Sequence, residues 1–592
     1  MRGYDALTPQ KYLILPKLLR IHTPYIFIYR QMNRKPLLFF LLLTSLFCSL
    51  PTLRAQDTHH FEVMKHLDIF NSVYRDLERY YVDTLKPEKN IQDALSYMLN
   101  QLDPYTEYYS EDETKQYEQM VTGKYAGIGS PIVYRRSEKR CMFSNPYESM
   151  PAQMAGVRTG DIIMAIDGQD VGTSAPDTAA NYSARVSKLL RGDPNTTLRL
   201  TVKRMGQAKP LTFKIVRKNI ELPSISYQTI LQDSIAYVSL TQYTENTARD
   251  LRLALVDMIS KGAKRLILDL RDNGGGLMEQ SIKIVNFFLP KGKNVLTTKG
   301  KGNDKTTVFT TTEEPLDAEM PIVILVNGGT ASAAEITSGA LQDYDRAVIL
   351  GKRTFGKGLV QHSIEMPYQG ILKYTAYKYY IPSGRCVQAY DFKNRDNEGN
   401  PRHLPDSLCR IFHTEHGRIV KDGGGIMPDV EISEDSMSYF TAALISHDVF
   451  NDFCVQYRNK HHRILAPSKF HLTDGEYEEF KKMVKRSDFK YEGPAAKSLG
   501  YLRVFAKEEG FNDAMPELDT LDKILNPGID TFLTLRSEEI RQALEAEIVE
   551  NYYFTRGAQE YVLQYSKQLE RALQILTDDA AYQRILSGVP EP

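Results

Sequence analysis

Ser332, Lys357 and Gln361 are the residues whose types and spacing can do chemistry in this chain. A serine hydroxyl is a weak nucleophile until a base takes its proton. No histidine stands between Pro321 and Gln361, so Lys357, 25 residues after the serine, is the available base, and Gln361 follows four residues later. A lysine can play that part only when neutral. An exposed one titrates near about 10.4, whereas burial disfavours the ammonium form and lowers that value. Phe355, Leu359 and Val360 are apolar neighbours able to supply the desolvation. The chemistry of such a set is acyl transfer through a serine ester. The competing reading makes Ser332 a helix cap and Lys357 a solvated loop lysine.

The elements around these residues decide whether they can meet. Pro321 to Val326 is an apolar run of the kind that forms a buried strand, and Asn327-Gly328-Gly329 is a turn. Thr330 or Ser332 then caps a helix whose apolar positions are Ala333, Ile336, Ala340 and Leu341. Ser332 therefore sits at a strand-to-helix junction, where the N–H of Ala333 has no intrahelical partner. A strand at Ala347 to Leu350 leads into the glycine-rich turn Gly351 to Gly358. That turn nearly spells a phosphate-binding loop, but Gly358 stands where Ser or Thr would hold a metal, and Leu359 to Ile364 alternates like a strand. Upstream, a strand at Arg265 to Leu270 runs through Arg271-Asp272-Asn273-Gly274-Gly275-Gly276-Leu277 into a helix from Met278 to Leu289. Strand, glycine-rich loop and helix is a second frame that presents backbone N–H groups.

Taken together, these stretches resemble the catalytic segments of the carboxyl-terminal processing proteases, the tail-specific proteases of peptidase family S41. The resemblance implies that Ser332 is the nucleophile, Lys357 its base and Gln361 the residue that positions the lysine. Asp269 to Gly276 resembles the family's Asp-Leu-Arg-x-Asn-x-Gly-Gly element, where one glycine supplies half of the oxyanion hole. Gly275 is assigned here, with Gly276 the neighbouring alternative and Ala333 the other donor. Leu102-Asp103-Pro104-Tyr105-Thr106 resembles the element leading into the family's binding domain, and taken alone it is a helix stop. Tyr125 to Gly129 and Pro151 to Ile163 resemble a PDZ domain, with Gly127, Ile128 and Gly129 where a peptide's terminal carboxylate is held. Ala376 to Arg385 and Gly425 to Val430 are further family-like stretches, read as strands and turns that close the core.

The resemblance covers roughly residues 60–435 and implies an α/β, crotonase-like serine protease core with an inserted PDZ domain and helical N- and C-terminal regions. The divisions expected are 1–55, an extension and signal peptide with its start at Met32; 56–117, helical; 118–220, PDZ; 221–435, protease core; and 436–592, a helical domain. Met32 to Lys35 is basic, Leu37 to Leu50 mostly apolar, and Leu53-Arg54-Ala55 a cleavage site before Gln56, so the chain is expected to be exported to the periplasm or envelope of a bacterium. A retained membrane anchor is the alternative, and peripheral membrane association stays open. So does a homodimer built through the terminal regions.

Composition excludes other classes. Of 592 residues 42% are hydrophobic and 25% charged, and the formal net charge is +0, which points away from nucleic acid. The five cysteines show no zinc spacing. His413 and His416 flank Glu415 without a third ligand, so no metal and no cofactor is expected. The expected partners are proteins or peptides with apolar C-termini. An idle PDZ scaffold and a thioester-handling enzyme remain as the other classes.

Overall fold

The computed structural model describes residues 51–588 apart from 112, 115–116, 118–123, 174–177, 303–304 and 434–435, with side chains from residue 58 onward. The expected signal region up to Leu50 and the first residues of the expected PDZ span lie outside these. The chain divides into two units, one ending at Gln92 and one running from Asp93. A long helix, Pro51–Tyr80, dominates the first and contains the expected cleavage position. Its stripe of Phe61, Met64, Leu67, Phe70, Val73 and Leu77 is exposed. Among the described residues no helix is long and apolar enough to cross a membrane.

In the second unit a six-stranded sheet leads into the helix that Ser332 caps. Its order is Ile225–Leu231, Ile235–Leu240, Arg265–Asp269, Ile322–Val326, Val348–Gly351 and Val430–Glu431. The first pair is antiparallel and the rest parallel. Parallel strands buried on both faces read as continuous apolar runs, which is why Ile322-Val323-Ile324-Leu325-Val326 has no polar residue. Alternate side chains then serve two cores. Leu266, Leu268, Ile322 and Ile324 face the helices Thr247–Ser260, Met278–Asn286 and Ala333–Asp343. Ile267, Val323, Leu325 and Leu350 face the opposite way.

The helical region 436–592 packs in two parts. Tyr439 to Leu563 surround their own core, built on Phe440, Phe453, Phe480, Leu544 and Ile548. The final helices, Lys567–Thr577 and Asp579–Leu586, instead close the six-stranded sheet. The stripe that packs is Leu569, Ala572, Ile575 and Leu576, and the Tyr582 hydroxyl accepts the Ile322 N–H at 3.0 Å.

A second sheet flanks the site. Its central strand, Ile371–Tyr380, pairs with Glu107–Tyr109, Asn294–Gly300 and Leu359–Glu365. A further sheet within Ile132–Val216 encloses Phe143, Ile163, Tyr182, Val186, Leu198 and Leu200, with the helix Ala179–Leu190 along one side.

Candidate active site

Ser332 occupies a backbone conformation that its side chain disfavours, φ 55° and ψ −117°, between the strand Ile322–Val326 and the helix Ala333–Asp343. Strained residues of this kind persist only where surrounding contacts fix them. Here those contacts are the Asn327 N–H on Thr330 Oγ1 at 3.0 Å, Thr330 Oγ1 on the Leu270 carbonyl at 2.7 Å, and the Ala331 N–H on the Asn273 carbonyl at 2.9 Å. The turn thus lifts the serine out of the sheet and into a partly exposed position at the helix N-terminus.

A residue that the sequence reading did not single out joins the two catalytic candidates. Glu335 is fully buried, and each of its carboxylate oxygens accepts two hydrogen bonds. Oε2 takes the Ser332 and Lys357 N–H groups, both at 2.8 Å. Oε1 takes the Gly356 N–H at 2.7 Å and the Thr354 hydroxyl at 2.6 Å. Thr354 Oγ1 itself accepts the Ile426 N–H, so its proton is committed to Glu335. Burial raises the Glu335 carboxyl above its ordinary value while these bonds oppose the rise. Four donors and no acceptor suit only the ionised form. The Ser332-x-x-Glu335 spacing is a capping-box signature, and it was the signal available in the sequence.

Lys357 is largely buried, and its pKa is lowered to about 8, first by that burial and then by Lys373, against the opposing charges of Asp103, Glu335 and Glu107. At pH 7 about a tenth of such lysines are neutral. Its Nζ lies 4.2 Å from the centroid of the Tyr105 ring. It makes no hydrogen bond to Ser332 Oγ or to any other group among the described residues. Gln361 sits opposite Thr375 in the strand pairing and donates to Thr375 Oγ1 at 3.2 Å, not to the lysine. Leu102 to Thr106, read as a helix stop, therefore also delivers a side chain to the site.

The glycine loop lies against the nucleophile. Gly275 has φ +93°, and a Cβ there would come within 2.7 Å of the Ala331 carbonyl oxygen and 2.8 Å of Ser332 Cβ. Its N–H donates to Asn273 Oδ1 at 2.9 Å. The N–H groups of Gly274, Gly276 and Ala333 have no acceptor among the described residues, so of the three loop glycines Gly275 is the one whose donor is engaged. Gly275→Ala is expected to displace the Ser332 turn and lower kcat by about 100-fold. Steady-state hydrolysis of a peptide substrate by the folded variant checks this.

Of the remaining predicted residues, Ile128 and Gly129 line a separate groove of about 430 Å³ with Tyr125, Tyr147, Ser187 and Leu190 among others, and Gly127 precedes them in the chain. Gly127 ends the strand Lys124–Gly127, Ile128 is buried, and Gly129 has φ +70° with a Cβ position 2.5 Å from Met150 Cβ. The Ile128 and Gly129 carbonyls turn inward to the N–H groups of Ala152 and Tyr147. The N–H groups of Ile128, Gly129 and Ser130 are left without an acceptor among the described residues.

A strained serine at a strand–helix junction, tied through one carboxylate to a buried lysine of lowered pKa, defines a serine-type hydrolase site. The family model of peptidase family S41 matches residues 234–394, that of a PDZ domain residues 142–204, and that named "Probable PDZ-protease, C-terminal helical domain" residues 440–576. A carboxy-terminal-processing protease of Bartonella bacilliformis is 35% identical over 344 residues, which are 57% of this chain and 75% of the relative. A CtpA-like serine protease of Staphylococcus haemolyticus is 32% identical over 368 residues, 62% of this chain and 71% of the relative. A solved photosystem II D1 C-terminal processing protease aligns at 23% identity and a TM-score of 0.34, covering 62% of this chain and 93% of that one. The chain belongs to the carboxy-terminal-processing proteases of peptidase family S41, and it is a serine-type peptidase carrying a PDZ domain.

Proposed function

We propose that the protein hydrolyses peptide bonds near the C-terminal tails of protein substrates, with Ser332 and Lys357 as the catalytic dyad in a crotonase-like core. The observation that carries this is the shared Glu335 carboxylate, which fixes the backbone of both residues at once. Neutral Lys357 takes the Ser332 proton as Oγ attacks the scissile carbonyl carbon. The oxyanion is received by the Ala333 N–H and by a glycine N–H of the 275–276 pair, a contribution of about 3 kcal/mol per donor in comparable sites. The lysine ammonium returns its proton to the leaving amine, and a water deprotonated the same way releases the acyl group and restores the serine. To reach Oγ, the Lys357 side chain leaves the Tyr105 ring. Apo sites often show such open geometry. Gln361, opposite Thr375 on the neighbouring strand, can hold the lysine once it has moved.

The groove at Gly127, Ile128 and Gly129 is proposed to read the substrate's terminal carboxylate through its free N–H groups and an apolar last side chain through Ile128 and Leu190. Successive backbone N–H groups at a glycine-rich turn make an anion site, and the neighbouring strand edge can pair with the peptide backbone. The expected result is that peptides ending in free apolar residues are shortened from the tail, as read by intact-mass analysis. Amidation of the terminus is expected to raise KM at least about tenfold. Equal cleavage of acid and amide would show that the groove does not read the terminus. Tail binding without any shortened product would leave a peptide-binding scaffold instead.

A further inference from the structure

We infer that Tyr105 is a positioning residue for the base: its ring holds the Lys357 ammonium at rest, away from Ser332, and lets it go once the amine is neutral. This rests on the assignment of Lys357 as the base. The ammonium stands 4.2 Å from the ring centroid and has no hydrogen-bond acceptor among the described residues, so the ring face is its direct polar contact. The carboxylates whose charges act on it, Asp103, Glu335 and Glu107, are each engaged elsewhere. Glu107 is bound to Lys373 Nζ, which also donates to the Tyr109 hydroxyl at 3.2 Å.

The ring is held by a built turn. Asp103, 7% exposed, accepts the N–H groups of Tyr105 and Thr106, both at 2.9 Å, and the Thr106 hydroxyl. Thr106 Oγ1 in turn accepts the Thr375 N–H at 3.2 Å, which anchors the turn to the strand that also binds Gln361. Phe392 packs edge-on at 5.9 Å between centroids. A ring face attracts a cation and has little hold on a neutral amine. Loss of the proton and departure toward Ser332 are therefore coupled through this one contact. The charged and titratable groups around the lysine and ring are Asp103, Glu107, Glu335, Lys373 and Tyr390. None of them changes in the variants below.

The test is the pH dependence of kcat/KM for one tail peptide, using the full chain with Tyr105→Leu and Tyr105→Phe. Leucine keeps the apolar bulk and removes the ring face. The acid limb is expected to move down by about half a unit to one unit, so that cleavage at pH 6 rises about three- to tenfold relative to the plateau. Phenylalanine keeps the ring face, and its profile is expected to overlie the parent. An unmoved acid limb in Tyr105→Leu, whatever happens to kcat, overturns the inference. So does an equal shift in Tyr105→Phe, which would assign the effect to the hydroxyl. If Tyr105→Leu does not fold, Tyr105→Met serves the same comparison. Lys357→Ala is run alongside. If it keeps turnover, the base assignment itself has failed; if it is inert while the leucine limb stays put, only the role of Tyr105 has.

Discussion

Lys357→Met is expected to end peptide cleavage and, at pH 7, to leave the folded chain more stable than the parent. The loss of activity follows from removal of the only group near Ser332 assigned to take its proton, a change worth about four orders of magnitude or more in kcat in enzymes of this kind. Lys357→Arg should be equally inert, because a guanidinium does not deprotonate in a protein. The gain in stability follows from the same burial that makes the base usable. The folded-state pKa of about 8 lies below the ordinary lysine value of 10.5. Below pH 8 the lysine is protonated in both states, and the fold bears the full cost of holding an ammonium out of water, at most about 3 kcal/mol for a shift of this size. Between pH 8 and 10.5 the unfolded chain binds a proton that the folded chain has released, so this group's contribution makes stability rise with pH across that window. Methionine has similar length and no charge. Denaturant unfolding at pH 7 and pH 10 should show the variant ahead by about 2 kcal/mol at the lower pH and much less at the higher. A variant less stable than the parent at pH 7 would mean that the lysine is comfortably solvated, and the argument for its catalytic poise would go with it.

The parts of this site that could be read in the sequence are those set by local pattern. The runs at Ile235, Arg265 and Ile322 form the central strands because their middle residues are apolar on both faces. Ser332 falls at the end of one of them because the Asn327-Gly328-Gly329 turn and the helix-forming residues after it leave no other place. What escaped was set by distance along the chain. Tyr105 reaches Lys357 from 252 positions away, through a strand pairing between Glu107–Tyr109 and Ile371–Tyr380 that no short-range pattern announces. Gln361 shares a register position with Thr375, and a bulge between Val360 and Gln361 fixes that register, so simple alternation along the strand does not say where its amide ends. The Gly275 N–H is taken by a side chain two residues before it, a local bond that a motif does not show. Glu335 was half legible: its spacing from Ser332 marks a helix cap, but its three other donors come from the turn that holds Lys357.

Glu335→Gln is expected to cost both stability and turnover, for one geometric reason. The side chain of glutamine has nearly the shape of glutamate, but one oxygen becomes an NH2 group that can only donate. With the amide on the Oε2 side, it faces the Ser332 and Lys357 N–H groups; on the Oε1 side, it faces the Gly356 N–H and the Thr354 hydroxyl. Thr354 can still accept from the amide, but none of the three backbone N–H groups can, so each orientation strands at least one buried donor. A buried group left without its partner costs about 1–3 kcal/mol, and loss of the charge weakens the bonds that survive. A total near 3–5 kcal/mol is expected, as for breaking other buried charged contacts. The catalytic effect is separable from this. At a temperature where circular dichroism shows the variant fully folded, kcat should still fall about 100-fold, because the carboxylate no longer fixes Ser332 and Lys357 to one point. KM for a tail peptide should stay within about twofold if the separate groove supplies the binding. A folded Glu335→Gln enzyme with native kcat would show that the strained serine turn and the lysine loop hold their places without the shared carboxylate, and that Glu335 serves the helix cap alone.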